Sequence, residues 1–110
     1  MSNQIIVANA LSLQMVNLPC TITANEVSIP EVRGILTANE GKWITAVGHP
    51  DTAVVMSNEL KIPVLANRIN VHLNQGDTLI VCQVMGGRLP EGATTLPEGI
   101  TLKWIKVTVD

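Results

Sequence analysis

Apolar residues fall along this chain in short blocks, and the spacing within each block predicts its structure. The run "QIIVA" (4–8) is continuous and reads as a buried first strand. "CTITANEVS" (20–28) alternates in part and predicts a second strand. Ser28 then precedes "IPEVRGIL", with Glu31 three positions on. That is the spacing of a capping box, and Pro30 falls in the tolerated first turn, so a helix is predicted over about 29–38. "WITAVG" (43–48) reads as a short strand. A further helix starts at Pro50 or Asp51 and runs to about Glu59, since proline suits the first helical position and Asp51 suits the helix dipole. "TLIVCQVM" (78–85) is the strongest strand signal, and "TLKWIKVTV" (101–109) closes the chain with clean alternation.

The intervening segments carry turn chemistry. "NALSLQMV" (9–16) leads to a break at "NLP", and "NEGK" (39–42) and "NQGD" (74–77) are turns. Pro63 makes 61–70 irregular, "VHL" is extended, and "GGRLPEGAT" (86–94) is a glycine- and proline-rich loop. The order predicts a single small α/β (α+β) domain over 1–110, with a mixed sheet of about five strands flanked by helices.

Composition narrows the function classes. The chain has 110 residues, of which 46% are apolar, mostly aliphatic. A domain this small leaves part of that surface uncovered, which favours a homodimer. The net charge is −2, with seven Lys and Arg, two Trp and no Phe or Tyr. A broad basic face and stacking platforms are therefore missing, so no long nucleic acid is expected as a partner. Cys20 and Cys82 lack metal or redox spacing and read as plain thiols of a reducing compartment. The first residues carry no basic leader pattern, and no apolar run reaches the ~18 residues of a membrane span. A cytoplasmic protein is expected.

Candidate chemistry is sparse. His49, one of two histidines, stands in "AVGHPDTA" at or just before the start of the second helix. There the helix amides point outward with partial positive charge, a natural place for a phosphate; the plain alternative is a residue that merely ends a turn. The positive helix end disfavours a protonated imidazole, and a bound phosphodiester would offset that. Arg68 in "ANRIN" and Arg88 in "GGRLPEG" lie in irregular segments and suit bidentate phosphate contact, or are simple surface charges. Arg33, two residues after Glu31, reads as part of a solvated helix face, and His72 as a solvent-facing strand residue. Asn9 and Ser12 follow the first strand, where ligands gather if its neighbours are parallel. Glu91 is turn polarity or an acid–base group. No phosphate-loop, dinucleotide, zinc-protease or nucleophile-elbow motif is present, nor a carboxylate cluster for magnesium. No metal and no cofactor is expected.

Taken in order, "ANALSL", "AVGHPDTA", "ANRINVHLNQGDTLIVCQV" and "GRLPEG" resemble the small family shared by archaeal viruses, phages and bacteria that includes the viral anti-CRISPR ring nucleases. The likeness covers roughly residues 4–92. It implies a homodimeric enzyme that binds cyclic tetra-adenylate, the second messenger of type III CRISPR defence, and cuts it to linear di-adenylate without metal, switching off the signal. The family's catalytic histidine matches His49. Its ligand-contacting positions match Asn9, Ser12, Arg68, Gln83, Arg88 and Glu91, and its mobile lid matches residues 85–94. The chain departs from the pattern at Leu11, where many relatives carry an aromatic, and at Pro50. "MGGRLPEG" and "TANEGKW" are longer than usual. Two other readings stand beside this one: a non-enzymatic DNA-binding dimer of a mobile element, and a sponge that holds the ring without cutting it.

Overall fold

A computed structural model describes residues 3–110. Five strands among them form one sheet: β1 (Ile5–Ala8), β2 (Ile22–Val27), β3 (Trp43–Ala46), β4 (Thr78–Met85) and β5 (Thr101–Val109). Two helices join them, α1 (Ile29–Ala38) and α2 (Pro50–Leu60), with a single 3-10 turn at Leu13–Met15. The spatial order is β2-β5-β4-β1-β3. β1 pairs in parallel with both β3 and β4, whereas β5 is antiparallel to β4 and β2. The fold is α+β with a mixed sheet, as the sequence pattern predicts.

Alternation in the strands divides the core in two. Val7, Ile80, Cys82 and Trp104 face α1 and α2, where they meet Val32, Leu36, Ala53, Met56 and Leu60. Ile6, Leu79, Val81, Val107 and Val109 face the other side, where Met15, Val16, Cys20, Val71 and Leu73 from outside the sheet and the two helices pack on them. Full burial of a side chain such as Leu60 contributes ~1.5–3 kcal/mol. The helices therefore sit on one face alone, and the far ends of β4 and β5 leave Met85 40% exposed, with Leu13 64% exposed in the turn near that face.

Local chemistry explains the helix ends. The Ser28 hydroxyl accepts the Glu31 N–H at 3.3 Å, and the Glu31 carboxylate accepts the Ser28 N–H, completing the capping box. α2 ends on Lys61, which adopts the left-handed conformation at φ 60°. The Ser57 hydroxyl accepts the Val64 N–H at 2.8 Å and folds the following segment back on the helix. Arg33 is exposed, yet its Nε donates to the Leu60 carbonyl at 2.9 Å and ties α1 to the end of α2.

Two predicted strands are shorter than their apolar runs. β2 begins at Ile22 rather than residue 20, although Thr21 still exchanges backbone bonds with Asp110. β3 stops at Ala46 because β1, its partner, stops at Ala8. Beyond it the Val47 carbonyl is taken by the Asn67 N–H at 2.8 Å. The Asn67 side chain also donates to the Thr45 carbonyl, so the 65–67 segment covers the outer edge of β3.

Candidate functional site

The parallel strands β3, β1 and β4 end at one side of the sheet, but not together. Ala8, the last residue of β1, stands opposite Ala46 and Val81, and β4 runs on from Cys82 to Met85. The step leaves a notch at the carboxyl ends of parallel strands, where α/β sheets gather ligands. The start of α2 and the loop after β4 close round it to form a cavity of about 630 Å³.

His49 stands at the mouth as the N-cap of α2, its backbone held extended at φ −120°, ψ 118° before Pro50. Its side chain makes no capping bond. The first intrahelical bond is Ala53 N–H to the His49 carbonyl at 3.0 Å. Pro50 has no N–H, so the amides of Asp51 and Thr52 are the free donors of this end. Thr52, 8% exposed, and Asp51 line the same cavity.

Four of the predicted site residues meet here: Asn9, His49, Gln83 and Arg88. The Asn9 side-chain oxygen accepts the Gly48 N–H at 3.3 Å, which fixes the loop leading to His49. Asn9 and Gln83 also border a second cavity of about 320 Å³ on the helix-free face, with Leu11, Ala24 and Ile105. Arg68 lies apart, in a neighbouring cavity of about 430 Å³ with Gly48, Pro50 and Asn67. Its side chain lies against Gly48, where a Cβ would stand 3.7 Å from the Arg68 Cγ.

Besides Arg68, two predicted residues fall outside the cavity. The Ser12 hydroxyl accepts the Gln14 N–H at 3.3 Å and caps the 3-10 turn, a local task. Glu91 is exposed at a turn and does not line the wall. His72 is exposed, as expected, but lies in irregular chain rather than in a strand. Thr52 was not signalled by any motif; only its place three residues after the cap marks it. Asp51, read from sequence as a dipole partner, also accepts the Gly92 N–H at 3.0 Å.

The charges around the cavity are Arg88 and the helix terminus on the positive side and Asp51 on the negative, with His49 between. Cys82 is no nucleophile here. Burial, and then the charge of Glu59, push its thiol up to about 12, so it lines the wall as a neutral group. A separate cleft of about 470 Å³ opens at the start of β3 between Leu36, Trp43, Ile62 and Pro63, and holds none of the candidate residues.

Comparison with known proteins agrees with this architecture. B116 of Sulfolobus turreted icosahedral virus superposes with a TM-score of 0.81 over 96% of this chain and 99% of that one, at 24% identity, a likeness of fold. Uncharacterized protein 26 of Sulfolobus islandicus filamentous virus (isolate Iceland/Hveragerdi) is 38% identical over 71 residues. That match takes in 64% of this chain and spans 58% of the relative's length. The profile of the STIV B116-like family matches residues 5–107, and the chain belongs to that family.

Proposed function

We propose that the protein binds cyclic tetra-adenylate and cleaves it to linear di-adenylate, by attack of a ribose 2′-hydroxyl on its own neighbouring phosphate. The observation that carries this reading is the presence of His49 and Arg88 on one cavity at the uncapped start of α2. In the reaction the 2′-oxygen–phosphorus bond forms and the phosphorus–5′-oxygen bond breaks, leaving a 2′,3′-cyclic phosphate. Water takes the 2′-proton. His49 gives a proton to the leaving 5′-oxygen, a contribution of ~10²–10⁴-fold. Arg88 and the amides of Asp51 and Thr52 balance the charge that grows on phosphorus. Asn9 and Gln83 contact adenine or ribose, and Arg68 holds the adjoining phosphate across Gly48. The nucleophile belongs to the substrate, so no metal-bound water is needed.

A ring of four nucleotides is larger than one such cavity. A second copy about a two-fold axis would supply the other half and set two His49 side chains at opposite phosphates. The exposed Leu13 and Met85 beside the helix-free face are surfaces such a copy would cover. The family's viral relatives suit a role in disarming type III CRISPR signalling.

Incubation with cyclic tetra-adenylate in EDTA, with products separated by chromatography and weighed, tests the reading. Di-adenylate from the native protein and none from His49→Ala is the expected result. Intact ring after incubation with native protein overturns the enzymatic reading. One observation favours a holding role instead: Ser12 and Glu91 stand outside the cavity. Protection from heat unfolding by the ring, with no product, is the mark of that role.

A further inference from the structure

The β4–β5 connection, residues 86–100, is far longer than a hairpin loop of about two to five residues. It stands on a narrow neck. Gly86 has φ +92° and Gly99 φ +83°, and a Cβ on Gly86 would collide with the Gly99 carbonyl oxygen. Within the loop, Ala93 N–H meets the Pro90 carbonyl and Ile100 N–H the Pro97 carbonyl, both at 3.1 Å, which are local turns only. Its side-chain hydrogen bonds to the body of the protein, among the described residues, come from α2. Asp51 Oδ2 accepts the Gly92 N–H at 3.0 Å, and the Asn58 side-chain amide donates to the Thr94 carbonyl. Asp51 and Asn58 are two helical turns apart on one face, so they grip the loop at two points along α2. Arg88 and Leu89, just before the gripped stretch, form the cavity wall.

Asp51 is an odd choice for a site that takes phosphate. Its carboxylate lines the same cavity as His49 and Arg88 and repels an anion there. A short polar residue at this position would leave the helix end freer for the ligand. What the carboxylate supplies is a charge-assisted bond to a loop amide, stronger than a neutral one. We infer that Asp51, with Asn58, is a positioning residue: the pair clasps the 86–100 loop along α2 and so holds Arg88 at the cavity that His49 borders. What Arg88 does there rests on the ring-cleavage reading above; the clasp itself does not.

The test has two arms, with Asp51→Ala, Asp51→Asn and Asn58→Ala. In the first, hydrogen exchange is followed in ligand-free protein. Asp51→Ala speeds exchange across residues 88–94 about tenfold while the strands stay protected, and Asp51→Asn falls between it and native, because a carboxamide oxygen still accepts but without the charge. Asn58→Ala loosens the same stretch. In the second arm, cyclic tetra-adenylate is the probe. Asp51→Ala binds it as tightly as native or tighter, having lost a negative charge, yet turns it over about tenfold more slowly. Asp51→Asn restores part of the turnover. Unchanged exchange over 88–94 in Asp51→Ala overturns the clasp, whatever the activity. Faster exchange with native turnover overturns the positioning of Arg88. If native protein cuts no ring, the ring-cleavage reading falls, and faster exchange in Asp51→Ala still upholds the clasp.

Discussion

The side-chain oxygen of Asn9 accepts the backbone N–H of Gly48 at 3.3 Å, joining the end of β1 to the loop that presents His49. Arg68 lies over the same glycine from another side. Asn9→Ala removes the bond and is expected to lower stability by about 1 kcal/mol in urea unfolding. Gly48→Ala is expected to fold normally, because its added Cβ meets Arg68 Cγ at 3.7 Å, an ordinary contact. A native midpoint in Asn9→Ala would show that the bond does not hold the loop.

His49 occupies a capping position without a side-chain capping bond, so the start of α2 keeps its free amides. His49→Ser supplies a hydroxyl that accepts a free amide of α2. The variant is expected to gain about 1 kcal/mol. For a domain of this size that is a rise in Tm of roughly 4–8 °C. On the proposed function, the same variant is expected to yield no di-adenylate from cyclic tetra-adenylate, read by chromatography. A fall in Tm would mean that the imidazole contributes more by packing than a capping hydroxyl returns.

Asp77 is 4% exposed, and both of its carboxylate oxygens accept hydrogen bonds. Its carboxylate accepts the Gln4 N–H at 2.9 Å, the Gln4 side chain at 3.0 Å and the Asn74 N–H at 2.8 Å. It thereby locks the turn before β4 to the chain entering β1. Asp77→Ala strands these donors and is expected to cost about 1–3 kcal/mol. Asp77→Asn keeps one acceptor oxygen and should fall between. Equal losses in the two variants would argue against this accounting.

Cys82 makes stability sensitive to alkali. In the unfolded chain its thiol ionises near the ordinary 9.0, whereas in the fold it is pushed up to about 12, first by burial and then by Glu59. The neutral buried thiol therefore contributes fully below pH 9.0, and that contribution is lost as pH rises towards about 12. Urea midpoints measured across this interval should fall more steeply for native protein than for Cys82→Ala. In native protein at neutral pH a thiol reagent should label the half-exposed Cys20 and spare Cys82. Parallel pH curves for native and Cys82→Ala would remove the thiol as the cause.

Local pattern was enough to place both helices and the spans of β4 and β5. The Ser28–Glu31 box, Pro50 at the start of α2 and the alternation of 101–109 act through neighbours a few residues away. The same locality identified His49 as a helix cap and Arg88 as a loop residue. It misjudged the ends of β2 and β3, because a strand ends where its partner ends, and the partners are distant in sequence.

Tertiary structure decided the rest. The order β2-β5-β4-β1-β3 places β1 between two parallel neighbours, and the four residues of β4 beyond Val81 make the notch. No spacing in the chain announces that step. It brings Asn9, His49, Gln83 and Arg88 to one cavity, sends Arg68 to its neighbour, and leaves Ser12 to its own turn. Asp51 and Gly92, forty-one residues apart, meet only because the β4–β5 loop folds back along α2. Short-range hydrogen bonding and hydrophobic period are written along the sequence; which ends come together depends on strand pairing, a contest among distant segments that only the folded chain resolves.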